Sequence, residues 1–125
     1  MLLDVSIEEN SKYAALKTEI EGKNFTRAAQ LAESLNLNND EIENLRYQAL
    51  CRMAAHNRNV HGVKILAQEN GYSKQEVKQI LENYVKQMRE KKNSRPLGVC
   101  YDSSSGKYLT FEDWIIYCIE KWHKL

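Results

Sequence analysis

The sequence has little proline, little glycine and no long apolar run. One proline and five glycines in 125 residues favour long helices over a turn-rich β structure. No apolar segment approaches the roughly 20 residues that span a bilayer. The first residues contain neither a basic region nor a long apolar region, so we expect no signal peptide. The cysteine count of three is odd, which favours reduced thiols and a cytoplasmic protein without a disulfide framework.

Patterns of enzymes and metal centres are also lacking. The sequence has no phosphate-binding glycine loop and no Cys–His nucleophile signature. Cys51, His56 and His61 follow one another at intervals of five residues, as do Cys118 and His123. Five residues on an α-helix turn a side chain about 140° from the first one, so this spacing does not build a zinc site. We therefore predict a protein without enzymatic activity, cofactor or metal.

The sequence does contain one helical hairpin written twice. Residues 22–54 align with residues 57–89 without a gap, at an offset of 35 positions and with five identities. Both copies place apolar residues at spacings of three and four, which predicts two successive amphipathic helices in each copy. A hairpin of this size cannot bury its apolar face alone, so we expect the two copies to stack as antiparallel hairpins.

Capping and turn residues recur at matching places in the two copies. Asn24 and Asn59 are predicted N-caps for the first helix of each copy. Breaks at residues 36–38 and 71–73 place Asn or Gly where a helix ends in a left-handed residue. The second break is followed by a capping-box pattern, Ser73 with Glu76.

Outside the repeat, Ser6 with Glu9 is a further capping-box pattern and predicts a helix over residues 6–21. This helix and the two hairpins form the predicted helical core, residues 6–92. Residues 93–96 lose the apolar periodicity and contain the single proline, so they are predicted to be a linker.

The last part of the chain, residues 97–125, differs in character. Short β-prone runs at residues 97–101 and 107–109 flank a turn-forming segment and predict a β-hairpin. Thr110 then caps a final amphipathic helix that closes the helical stack. Altogether the sequence predicts a single, mostly α domain of about six helices over residues 1–125.

The first copy of the hairpin resembles tetratricopeptide-like helical repeats, whose period is close to 35 residues. The pattern is carried by Gly22, Phe25, Ala28, Leu31 and Leu35. The second copy departs from it, with Asn57 in place of the glycine and Val63 in place of the small residue. The resemblance implies a non-enzymatic module that binds a protein or peptide, with an adaptor or regulatory role.

Residues 62–84 resemble the helix-turn-helix of DNA-binding regulators. Ala67, Gly71, Val77 and Ile80 occupy the positions that this motif uses for its turn and its helix packing. The resemblance implies that the second helix enters the major groove of duplex DNA and that the later hairpin serves as a wing. The residues that would face bases or phosphates are Ser73, Lys74, Gln75, Lys78, Gln79, Lys86, Arg89, Lys91 and Lys92.

The charge distribution gives this alternative limited support. Residues 56–95 contain nine Lys/Arg and four Asp/Glu, although the whole chain carries a net charge of only +1. The first copy fits the same turn spacing with Asp40, Glu41 and Glu43 where DNA would lie. The spacing therefore indicates two tightly packed helices and does not by itself indicate DNA binding.

The final helix has apolar residues on more than one side, which is typical of a helix that also covers a partner. The candidates for such a partner surface are Trp114, Ile116, Tyr117 and Trp122. A homodimer contact is the alternative use of this helix. We predict a protein- or peptide-binding helical module, and a small DNA-binding transcriptional regulator as the alternative.

Overall fold

A computed structural model describes the backbone of residues 2–122 and the side chains of residues 10–122. The described chain is mostly α-helical and ends in a short β-hairpin and a closing helix, which confirms the predicted fold class. None of its helices is long and apolar enough to cross a bilayer. The helices are α1 (Leu2–Glu21), α2 (Phe25–Ser34), α3 (Asn39–Ala55), α4 (Val60–Asn70), α5 (Lys74–Glu90) and α6 (Phe111–Lys121), and the strands are β1 (Cys100–Asp102) and β2 (Lys107–Leu109).

The two copies of the hairpin share the starts of their helices, whereas α4 is one residue longer than α2. Helices α2 and α3 begin 35 positions before α4 and α5, and α3 and α5 each have 17 residues. The left-handed residues also recur at this offset, Lys23 with Arg58 and Asn36 with Gly71. The copies therefore repeat the same local structure. Their stacking on each other stays a prediction.

Two predicted details of the helix starts are wrong. Helix α1 begins at Leu2, four residues before the predicted start at Ser6, because the preceding residues include no proline or glycine that would end a helix. Asn24 precedes α2 but its side chain makes no capping hydrogen bond, since its ψ of 72° is not that of an extended cap residue. Asn59 is extended and its side chain accepts the N–H of Gly62 at 2.9 Å, as predicted.

The chain forms two compact units, residues 1–49 and 50–125. The division falls inside α3 and not at the predicted linker, residues 93–96. The prediction of a single domain stays a prediction.

In the first unit, small residues of α2 allow close packing in the core. Arg46 on α3 joins this helix to α2, because its guanidinium donates to Glu33 on α2. It also donates to Glu43, one turn earlier on α3, at 2.7 Å. These acidic partners raise the pKa of Arg46 above its ordinary value, although partial burial opposes the shift. The buried residues of this core cluster are Leu16, Ala28, Ala29, Ala32, Ile42 and Leu45.

The core of the second unit is built around the aromatic residues of α6. Phe111 and Trp114 are fully buried and stack with their ring centroids 6.0 Å apart. Tyr84 of α5 meets Phe111 edge to face at 5.9 Å. The other large, fully buried side chains of this unit are Leu50, Val63, Val77, Leu81 and Cys118.

The β-hairpin begins later than predicted. Leu97 lies in a 3₁₀ turn, Arg95–Leu97, because the preceding Pro96 favours that turn over an extended strand. Strand β1 pairs antiparallel with β2, with Tyr101 opposite Tyr108. Asp102 closes the turn, since its buried carboxylate accepts the N–H of Ser105 at 2.7 Å.

Arg58 holds the segment around this hairpin to the helices. Its guanidinium donates to the carbonyl oxygens of Pro96 at 3.3 Å, Gly98 at 2.8 Å and Leu109 at 3.2 Å. It also lies 5.1 Å from the centroid of the Phe111 ring, a cation–π contact. Burial lowers the pKa of Arg58 below its ordinary value. Arg58 therefore ties Pro96, Gly98 and Leu109 to one another within the second unit.

Candidate interaction surface

Helix α5 forms one wall of the candidate surface. Its start is fixed by a capping box, in which the Ser73 hydroxyl accepts the Glu76 N–H at 3.1 Å and the Glu76 carboxylate accepts the Ser73 N–H at 3.2 Å. Val77, Leu81 and Val85 recur every four residues and are buried against the core. This burial fixes the rotation of α5, so the charged residues between them face outward.

Helix α6 forms the opposite wall. Thr110 caps it by accepting the N–H of Asp113 at 3.2 Å. Phe111 and Trp114 hold its inner side in the core. Ile115 is only 4% exposed, whereas the adjacent Ile116 is 57% exposed. The core contacts thus leave one large aliphatic side chain of α6 in solvent.

The two helices enclose a groove of about 410 Å³. Its apolar part comes from Val85 on α5 and from Ile115 and Ile116 on α6. Its charged rim is balanced, with three basic and three acidic side chains. The rim residues are Lys78, Glu82, Lys86, Arg89, Glu90 and Glu112.

Part of this rim is already paired. Arg89 of α5 forms an ion pair with Glu112 of α6, which links the two walls. Lys78 and Glu82 pair along α5 at 3.9 Å. Both pairs are exposed, so each contributes at most about 1 kcal/mol to stability. The pairing also reduces the positive charge that α5 presents to an anionic partner.

The structure brings together only some of the predicted nucleic-acid residues. Lys78, Lys86 and Arg89 line the groove. Ser73 uses its hydroxyl as a helix cap, and Lys74 is half-buried. Those that are exposed outside the groove are Gln75, Gln79, Lys91 and Lys92.

Only one of the predicted partner-surface residues lies exposed in the groove. Ile116 is exposed in the groove, as a partner contact requires. The prediction that Trp114 belongs to a partner surface is wrong, because this residue is fully buried in the core, where its ring stacks on Phe111. Tyr117 is half-buried beneath Lys121, whose ammonium lies 5.2 Å from the ring centroid.

Trp122 is half-buried at the end of α6. Its carbonyl accepts the Lys64 ammonium at 2.9 Å, a contact that also places a cation at the helix C-terminus. Trp122 therefore contributes to the attachment of α6 to α4. Neither Tyr117 nor Trp122 lines the groove.

The predicted helix-turn-helix has the expected turn. Gly71 is left-handed, with φ of 75°, and α5 begins three residues later. Asn36 of the first copy is also left-handed, with φ of 54°, and is followed by an equivalent helix. The turn geometry thus occurs in a basic and in an acidic copy, so it does not separate DNA binding from helix packing.

The outer face of the hairpin was not predicted as a surface. Val99, Tyr101 and Tyr108 are 60%, 57% and 73% exposed. The two tyrosine rings meet edge to face at 5.2 Å. The alternation of side chains along the two strands predicts that the two tyrosines lie on the same face of the hairpin. Whether that face is exposed depends on which face packs inward.

The cysteines and histidines form no metal site in the described part of the chain, where no group of three potential ligands lies together. His123, one member of a Cys–His spacing considered above, lies outside the described residues. Cys51 and Cys118 are buried, whereas Cys100 is exposed. Burial raises the pKa of the Cys118 thiol to about 12, so this thiol is protonated at neutral pH.

Comparison with protein-family models, with curated proteins and with solved structures finds no match for this chain.

Proposed function

We propose that this chain is a non-enzymatic module that binds a protein or peptide in the α5–α6 groove, with an adaptor or regulatory role in the cytoplasm. The observation that carries the proposal is the exposed Ile116 beside the apolar floor of that groove. Interfaces commonly combine such an apolar centre with a charged rim. A rim with equal numbers of basic and acidic groups suits a polypeptide better than it suits a polyanion.

The experiment is a selection of random 15-residue peptides on the immobilised protein, with counter-selection on the Ile116→Lys variant. Burying the exposed part of an isoleucine side chain contributes about 1 to 1.5 kcal/mol, so enriched peptides should bind the variant about tenfold more weakly. Tyr108→Lys is the matched control, because it replaces another large exposed hydrophobic side chain, 73% exposed against 57% for Ile116, that lies outside the groove. It should leave peptide affinity unchanged.

Two results would contradict the proposal. The first is a selection that yields no peptide able to distinguish the native chain from Ile116→Lys. The second is an equal loss of affinity in Tyr108→Lys, which would indicate nonspecific hydrophobic binding and not binding in the groove.

The second candidate function is that of a small DNA-binding transcriptional regulator, favoured by the exposed Gln75, Lys78 and Gln79 near the start of α5. It predicts binding to random duplex DNA at low salt that weakens steeply as salt rises. Lys74→Ala and Lys78→Ala should then weaken binding similarly for all sequences. Absence of binding at low salt would remove this candidate.

A further inference from the structure

The length of the α5–α6 groove sets the size of the segment that it can accept. Its lining runs along α5 from Lys78 to Glu90. At about 1.5 Å per residue this is a length of about 18 Å, or roughly three helical turns. Ile116 stands in solvent on the other wall, so the site is open along its side. It is shaped for one elongated segment of a polypeptide.

The backbone of the groove walls favours a helical segment over an extended one. The lining residues of α5 lie inside Lys74–Glu90, and those of α6 lie inside Phe111–Lys121. Their N–H and C=O groups are largely used within these helices and offer no sheet edge to an extended peptide. A helical segment pairs its own backbone groups except those of its first and last turns, so it packs on these walls with fewer unpaired backbone groups than an extended segment.

The charged rim side chains that have no ion-pair partner indicate which charges the bound segment carries. Two ion pairs, Lys78–Glu82 and Arg89–Glu112, use four of the six charged side chains. Lys86 and Glu90 lie one turn apart on α5 and have no ion-pair partner in the described part of the chain. They offer one cation and one anion to an approaching surface.

We infer that the occupant of the groove is an amphipathic α-helix of about three turns from another protein. Its apolar stripe packs on Ile116 and the groove floor. Beside the stripe it carries an acidic residue against Lys86 and a basic residue against Glu90, one turn apart. This inference rests on the proposed function, since it names the chemistry of the partner at the same groove.

The test uses the peptides enriched in the selection described above. Proline at the centre of each peptide should weaken binding at least about tenfold. Proline in a helix interior lowers the equilibrium constant for helix formation by more than about tenfold. The bound peptide should also show helical circular dichroism.

The charge pairing is tested by exchanging Lys86→Glu together with Glu90→Lys, which keeps the net charge of the chain. Binding should weaken roughly three- to tenfold, the range for two exposed charge pairs that become repulsive. Exchanging the acidic and basic residues of the peptide should restore it. The matched control exchanges Lys17→Glu with Glu21→Lys, an exposed pair of the same spacing on α1 that does not line the groove, and should change affinity little.

Each contrary result has a separate meaning. Peptides that depend on Ile116 but tolerate the central proline, or that ignore the charge exchange, would overturn the helical partner and leave the proposed function standing. Self-association abolished by Ile116→Lys would assign the groove to a second copy of this chain and overturn the inference. A selection without Ile116-dependent peptides would remove the proposed function itself.

Discussion

Removal of the Arg58 side chain should destabilise the second unit by about 2 to 3 kcal/mol. Its guanidinium makes three hydrogen bonds to carbonyl oxygens that are 38 to 51 residues away in sequence. Its Nε also donates to the carbonyl oxygen of Ala55 at 3.0 Å, and a net contribution of about 1 kcal/mol for each of the four bonds gives about 4 kcal/mol. The cation–π contact with Phe111 adds to this, and the cost of burying the charge offsets part of it.

Lys23 provides the matched control for Arg58→Ala. It occupies the equivalent position of the first copy, is also left-handed, with φ of 59°, and is exposed. Lys23→Ala therefore makes the same change in backbone preference without the loss of a buried guanidinium. It should change the free energy of unfolding by less than about 0.5 kcal/mol.

The assay is urea unfolding followed by tryptophan fluorescence for the second unit and by far-UV circular dichroism for the whole chain, which also covers the first unit that contains Lys23. Trp114 and Trp122 are the only tryptophans of the sequence, and both lie in the second unit, so the signal reports the unit that Arg58 holds together. The reasoning is refuted if Arg58→Ala destabilises the protein no more than Lys23→Ala does. Arg58→Lys should give an intermediate loss, because an ammonium keeps the charge but lacks the planar fork of donors.

Three further predictions concern the caps and the cysteines. Ser73→Ala should lower the free energy of unfolding by about 1 kcal/mol, whereas Asn24→Ala should have almost no effect because that side chain makes no capping bond; denaturant titration of both variants checks this. A thiol reagent should modify Cys100 rapidly in the native protein, and the labelled residue identified by mass spectrometry should be neither of the buried cysteines. Because burial raises the pKa of Cys118 from 9.0 to about 12, its contribution to stability is complete below pH 9 and is lost as the pH rises from 9 towards about 12. Urea midpoints should fall across that window, and less steeply in Cys118→Ala; an equally steep fall would refute the assignment.

The groove could be anticipated only in part. Periodicity in the sequence indicated that Lys78, Lys86 and Arg89 lie outside the core and that the final helix has a second apolar side. It could not indicate that these features meet, because a helical pattern contains no information about the neighbour of its outer face. Trp114 and Ile116 were both candidates for a partner surface, although the periodicity placed only Ile116 outside the apolar stripe of the final helix; in the structure Trp114 is fully buried and Ile116 is 57% exposed.

The sequence by itself determined the helices, the 35-residue repeat and most of the caps, because each depends on hydrogen bonds and side-chain spacings within about four residues. Ser73 with Glu76 and Thr110 with Asp113 were therefore predicted correctly. The spacing of Phe111, Trp114, Ile115 and Cys118 also indicated the face of α6 that is buried. Tertiary structure alone decided that this face meets Tyr84 of α5. It also decided that Arg89 meets Glu112 across the groove and that Arg58 reaches the hairpin segment. These contacts join residues that are 23 to 51 positions apart. They exist only because packing of the core brings separate helices together.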